Sequence, residues 1–174
     1  MVVYSFYIFD RHTECIYSKS WLPPPAASST DILPPTHSHP QQPPQQPPQQ
    51  PPQQPTSSIL TQKQYSDNAK LIFGTVFSLR NMVRKLGGSD DAFISYRTAQ
   101  YKLHYYETAS NLRFVMLTDV ATLSMRNVLH QIYINLWVEY VVKNPLSPVE
   151  HKGGEGVRNE LFELGLDQFV RGLM

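Results

Sequence analysis

The segment Val2–Asp10 is apolar on both faces. Val2, Tyr4, Phe6 and Ile8 point one way along an extended chain, and Val3, Tyr7 and Phe9 point the other. A strand apolar on both sides needs cover on both, so Val2–Asp10 is placed centrally in a sheet. Arg11-His12-Thr13 makes a short turn. Glu14–Lys19 returns as the second strand of a hairpin, with Cys15 and Tyr17 on one face and Ile16 on the other. Further on the period becomes helical. Ile72, Val76, Leu79, Val83 and Leu86 recur at helix spacing between a cap at Ser66 or Asp67 and the stop at Gly87-Gly88, which predicts a helix over 68–86. Gly74, Ser78, Asn81 and Lys85 form its opposite, small and polar face. Three strands follow, over 93–98, 101–108 and 112–119, turned at Ala99-Gln100 and Ala109-Ser110-Asn111. The last is apolar on both faces, whereas the first two carry Ser95, Arg97, Lys102 and His104. The last strand is therefore inner and the first lies at the sheet's edge. Met125, Leu129, Ile132, Leu136 and Tyr140, widened by Val128, Tyr133 and Trp137, predict a helix over 122–143 that stops before Asn144-Pro145. A Pro/Gly-rich link leads to a last helix over 157–171, which packs through Leu161, Leu164 and Phe169.

The expected architecture is an α+β sandwich: a five-stranded, mostly antiparallel sheet with one helix on one face and two C-terminal helices on the other. It is read as a single domain over 1–174, interrupted at about 22–66 by a Pro/Gln-rich insertion whose middle repeats Pro-Pro-Gln-Gln from Pro40 to Pro55. Proline fixes φ and lacks the amide hydrogen, so the tract is expected to be disordered with a polyproline-II bias. The closure cost of such a loop grows only logarithmically with its length. Its P-x-x-P frames, such as Pro40-Gln-Gln-Pro43, lack the flanking Arg or Lys of an SH3 ligand and are read as low-complexity sequence.

Composition narrows the function. A net charge of +1 argues against a nucleic-acid binder, which needs a dense basic footprint. With Cys15 as the one cysteine, neither an internal disulfide nor a multi-cysteine zinc site is available. The opening reads as a strand rather than a signal peptide. No apolar run reaches the ~20 residues that span a bilayer, so direct membrane insertion is not expected.

Candidate chemistry is sparse. His37-x-His39 has no third ligand near it and lies in the Pro-rich stretch, so a solvated loop is the better reading. His104 is assigned to the solvent side of its strand and His130 to a half-buried helix position. Cys15 reads as a packed, inert thiol. Lys152-Gly-Gly-Glu-Gly156 resembles a phosphate-cradling loop but follows a helix instead of a strand, so it is read as a linker. Arg80, Arg84 and Lys85 are either a basic patch or a solvated helix face. No catalytic, cofactor or metal residues are assigned. A filled core of Val, Ile, Leu, Phe and Met argues against a ligand-binding or catalytic module of PAS-like or acyltransferase-like topology.

Four blocks taken in order are more specific. Val2-Val-Tyr-Ser-Phe-Tyr-Ile-Phe-Asp-Arg-His12, Phe73-Gly-Thr-Val-Phe-Ser-Leu-Arg80, Tyr101-Lys-Leu-His-Tyr-Tyr-Glu-Thr108 and Phe114-Val-Met-Leu-Thr-Asp119 closely resemble the small core subunits of the TRAPP (trafficking protein particle) complex, of the Bet-five or subunit 1 type. The resemblance covers 1–21 and 67–174 and departs chiefly at the Pro/Gln insertion. It implies the longin, or SNARE-like, fold and a non-enzymatic core subunit of a vesicle-tethering assembly. As a whole that assembly exchanges guanine nucleotide on a Rab GTPase in ER-to-Golgi transport. Implied partners are other TRAPP core subunits, longin-type and Bet-three-type, and the GTPase through the assembled complex. The implied location is cytoplasmic, peripheral to cis-Golgi and endoplasmic reticulum membranes. The rival within the fold is a small coat-adaptor chain or a longin regulatory domain. A longin-type SNARE would add a coiled coil and anchor, which 1–174 lacks. Without a reactive constellation, function is assigned to surfaces: a helix face at Gly74, Phe77, Ser78 and Asn81, or the aromatic strand at Tyr101, Tyr105 and Tyr106.

Overall fold

Alternation along strands and a 3.6-residue period along helices sort this chain's apolar residues into two layers of core, one on each face of a sheet. The computed structural model describes residues 1–22, 57–89, 91–151 and 156–174, and of 57–66 the backbone alone. The elements are β1 (Val3–Phe9), β2 (Cys15–Ser20), α1 (Ser57–Gly87), β3 (Ser95–Arg97), β4 (Lys102–Glu107), β5 (Arg113–Thr118), α2 (Arg126–Gln131), a π-helical segment (Ile132–Val142) that continues α2, and α3 (Glu160–Leu173). The sheet runs β2-β1-β5-β4-β3 with every neighbouring pair antiparallel. β5 is central and β3 is an edge, as the polarity gradient requires. The result is the expected α+β, longin-like arrangement.

Phe6, Ile8, Ile16, Tyr17, Phe114 and Met116 pack against Leu129, Ile132, Trp137, Val141, Phe162 and Leu166 on the face covered by the C-terminal helices. Tyr7, Phe9, Leu103, Tyr105, Val115 and Leu117 pack against Ala69 and Val76 of α1 on the other. The sheet takes strands from both sides of the Pro/Gln stretch, whose predicted disorder lies outside the described residues.

Several local expectations change. β1 and β2 do not alternate regularly. The pairing shifts between Val3 and Ser5 and again beside Ile8 and Phe9. One extra residue at a shift turns the following side chains over. Val3 therefore joins Phe6 instead of Tyr7, and Ile16 and Tyr17 share one face. α1 begins at Ser57, not at 68. After Pro55 the sequence Thr-Ser-Ser-Ile-Leu-Thr-Gln-Lys-Gln holds no helix breaker, so the helix extends back towards the last proline. Leu86, assigned to the inner stripe, is 83% exposed. It lies about 2.8 turns beyond the buried Val76 and has rotated off the face. The helix end is as expected: Gly88 has φ +96 and its N–H donates to the Arg84 carbonyl at 3.1 Å.

The C-terminal helices shift more. The second helix starts at Arg126 instead of Thr122, because Thr122 is held in a turn through its N–H to the Asp119 carbonyl. From Ile132 the bonds run i→i+5, as in Lys143 N–H to the Val138 carbonyl at 3.0 Å. This wider turn carries the buried line from Ile132 to Trp137 and Val141, so Leu136 and Tyr140 flank the core instead of centring it. α3 starts at Glu160, capped by Asn159, whose side-chain oxygen accepts from Leu161 N–H (3.0 Å) and Phe162 N–H (3.1 Å). The Asn159 amide also donates to the Tyr140 carbonyl at 2.6 Å, tying α3 to the π-helical segment. Val157 lies before the helix and donates to the Ile16 carbonyl at 2.7 Å. Leu161 and Leu164 are exposed; Phe162, Leu166 and Val170 form the buried stripe. Gly165 lets the two helices approach, since an added Cβ there would lie 3.1 Å from Leu136 Cδ2.

Candidate partner interface

The groups singled out for chemistry are mostly absorbed into structure. Cys15 is half-buried and its thiol donates to the Tyr17 carbonyl at 3.4 Å. Burial pushes its pKa up to about 11, so it stays a protonated thiol near neutral pH. His104 is not on the solvent side: it is 1% exposed, between β5 and the turn before α2. Its Nδ1 accepts from Met125 N–H at 3.4 Å, which leaves Nε2–H to donate to Thr118 Oγ1 at 2.9 Å. His130 is exposed instead of half-buried, and its Nδ1 pairs with the Tyr106 hydroxyl at 2.8 Å. Among the described residues no group of His, Cys, Asp and Glu could hold a metal ion, and no helix is long and apolar enough to cross a membrane. His37, His39 and Lys152 lie outside the described residues.

The predicted interface residues do not form one surface. Gly74 and Ser78 are exposed on the outer side of α1 and Asn81 is half-buried. A Cβ added at Gly74 would meet nothing within 4 Å. Apolar side chains belong to the same outer side, which is less polar than expected: Leu71, Met82 and Leu86 are all more than half exposed. Phe77 is 50% exposed and stacks on Phe73, with ring centroids 6.0 Å apart. The aromatic strand splits by alternation. Tyr101 packs at the edge of the α1-side core, Tyr105 is 3% exposed within it, and Tyr106 faces α2 beside Phe114 and Tyr133. Tyr105 is therefore a core residue of the folded chain, and a polar substitution there would report on folding instead of assembly.

At the C-terminal end of β4 the structure gathers what the sequence left scattered. Arg80 of α1 grips Glu107 with both ends of its guanidinium, at 2.7 and 3.0 Å. Arg113 of β5, the cross-strand neighbour of Glu107, adds a third contact at 3.3 Å and donates to the Asp10 carbonyl at 2.9 Å. All three side chains are 14–16% exposed, so the carboxylate is shared in a largely buried setting. Next to them lies a half-open, mostly polar cavity of about 310 Å³, lined by Arg80, Arg84, Phe93, Tyr105, Glu107 and Arg126 among others. The Tyr105 hydroxyl is buried beside the Glu107 carboxylate and makes no hydrogen bond of ordinary length and angle among the described residues. Burial foremost, and the Glu107 carboxylate, raise its pKa, so it remains a neutral donor. The sequence offered Arg80 and Arg84 as a patch but missed Glu107, Arg113 and Arg126. The cross-strand pairing of Glu107 with Arg113 follows from the hairpin register; the approach of Arg80 does not.

A buried hydroxyl without a well-formed hydrogen bond costs folding energy, so its removal tests the geometry. Tyr105→Phe is expected to leave stability unchanged or raise it by up to ~1 kcal/mol in urea titration. A loss above ~1 kcal/mol would show that the hydroxyl is bonded.

Comparison with known proteins agrees with this architecture. Residues 3–173 match the Sybindin-like family. The Schizosaccharomyces pombe protein "Transport protein particle subunit bet5" is 39% identical over 178 residues, covering 99% of this chain and 98% of its own. The Rattus norvegicus "Trafficking protein particle complex subunit 1" is 36% identical over 175 residues, covering 99% and 94%. A more distant relative, "Trafficking protein particle complex subunit 4" of Dictyostelium discoideum, is 23% identical over 112 residues, 62% of this chain and 79% of its own. With residues 3–173 matched and the bet5 relative 39% identical over almost the whole of both chains, the chain belongs to the Sybindin-like family.

Proposed function

We propose that this chain is a non-catalytic core subunit of a TRAPP-type vesicle-tethering complex. The observation that carries the reading is similarity along almost the whole chain to proteins named as subunits of that complex. In the finer form of the proposal, the assembly exchanges guanine nucleotide on a Rab GTPase in ER-to-Golgi transport, peripheral to cis-Golgi and endoplasmic reticulum membranes. The chain contributes a surface to it and meets other TRAPP core subunits, longin-type and Bet-three-type. The outer side of α1, with its exposed Leu71, Phe77, Met82 and Leu86, supports a docking role, because apolar area left in water gains by being covered.

The test is affinity purification of the tagged full-length chain, with co-purifying chains identified by mass spectrometry. TRAPP subunits are expected; coat subunits in their place would overturn the reading in favour of an adaptor chain. Release of labelled GDP from the GTPase by the purified assembly should fall when this subunit is omitted. Gly74→Trp is a suitable interface probe, since Gly74 is exposed and a Cβ added there would meet nothing within 4 Å. It should reduce subunit recovery at least tenfold with little change in thermal midpoint. Unchanged recovery would remove this face from the interface.

A further inference from the structure

The cavity at the end of β4 carries an excess of fixed positive charge. Arg80, Arg84 and Arg126 line it, against the single carboxylate of Glu107. That carboxylate is already taken up by Arg80 and Arg113. Arg84 and Arg126 form no ion pair among the described residues, and both are exposed at the rim. They come from opposite sides of the sheet, Arg84 from α1 and Arg126 from the start of α2, so the cavity is a cleft between two cationic jaws. Behind it the buried Tyr105 hydroxyl lies beside the Glu107 carboxylate. Two guanidinium groups without an ion pair among the described residues call for an oxyanion.

The size and lining favour a protein side chain over a small metabolite. Sites for small organic ligands are predominantly apolar and bury most of the ligand. This cleft of about 310 Å³ is half-open and mostly polar, with Phe93 as its main apolar wall. It also adjoins a surface already disposed to docking. Phe77, half exposed, lies two turns before Arg84 on the same flank of α1. Interface hot spots are enriched in aromatic residues and arginine, which this flank brings together.

We propose that this cleft receives an acidic side chain from a neighbouring subunit, its Asp or Glu carboxylate held between Arg84 and Arg126. The inference rests on the reading of the chain as a TRAPP-type subunit and adds the chemistry of one contact. The pairing is desolvated on assembly, so it contributes to partner choice as well as to affinity.

The test uses the tagged full-length chain purified with its partners. Arg84→Glu/Arg126→Glu reverses both jaws at exposed positions and should leave the thermal midpoint of the free chain within about 2 °C. Recovery of one particular subunit should fall at least tenfold. Arg84→Lys keeps the charge and presents an amine that a carbodiimide joins to a carboxylate, so the cross-linked peptide should carry an Asp or Glu of that same subunit. Undiminished recovery of every subunit by the double variant overturns the inference, as does a cross-link to no carboxylate of a partner. Saturable binding of inorganic phosphate by the free chain, lost in the double variant without any loss of subunits, also overturns it in favour of a small anion. If the wild-type chain recovers no TRAPP subunit, the functional reading fails along with the contact. If the wild type recovers them and the double variant does so equally, only the contact fails.

Discussion

Replacing Glu107 with alanine should cost about 3 kcal/mol of folding stability, at the lower end of the range for breaking a buried ion pair. The carboxylate is the common partner of Arg80 and Arg113, and all three side chains are 14–16% exposed. Removing it leaves two guanidinium groups facing each other without a counter-charge in a largely buried site. The penalty is the uncompensated charge, not the value of the pair. Arg80→Leu/Glu107→Leu should therefore be less damaging than Glu107→Ala alone, because one buried charge goes with its partner. Urea titration of the purified chain would check both. A loss below ~1 kcal/mol for Glu107→Ala would mean that water reaches the site and screens the pair as it does at a surface.

The second large effect depends on pH. His104 has its pKa lowered from 6.5 to about 4, by burial first and by the Lys102 charge second, with Asp119 acting the other way. The folded chain thus holds the ring neutral over a range in which the unfolded chain protonates it. Above pH 6.5 both states are neutral and the stabilisation is complete. Between 6.5 and about 4 the unfolded state takes up the proton first, and stability falls by an amount approaching ~3 kcal/mol. Below that both states are charged and the loss levels off. The hydrogen bonds agree with a neutral ring, since Nδ1 accepts from Met125 N–H and a second proton there would have no acceptor. The measurement is the unfolding free energy at pH 7.5, 6.5, 5.5 and 4.5 for the wild type and for His104→Gln. The wild type should lose more stability across that window by an amount approaching ~3 kcal/mol; parallel profiles would exclude the buried ring as the cause.

The site was legible in part. Arg80 and Arg84 stand one helical turn apart in the sequence, and their grouping needs nothing beyond the 3.6-residue period. Glu107 opposite Arg113 follows once the β4–β5 turn is placed at 109–111. That these groups share one carboxylate depends on where α1 crosses the sheet. Tyr105 and Tyr106 look alike in sequence, yet alternation sends one into the α1-side core and the other toward α2. The sequence puts His104 on the solvent side, because a polar side chain in an alternating strand usually faces water. Here the turn before α2 covers that face and supplies its hydrogen bond.

The order of strands and helices, the inner position of β5, the edge position of β3 and the glycine stop of α1 were fixed by the amino acids alone. These features follow from local periodicity, from apolar runs that need cover on both sides, and from residues that fix or free φ. The pairing shifts in β1 and β2, the widened helix from Ile132, the exposure of Leu86, Leu161 and Leu164, and the meeting of Arg80, Glu107 and Arg113 were decided by tertiary structure. Each depends on which of several similar apolar or charged side chains finds a partner across the sheet. Packing is a property of pairs of elements, and one element's sequence carries only half of it.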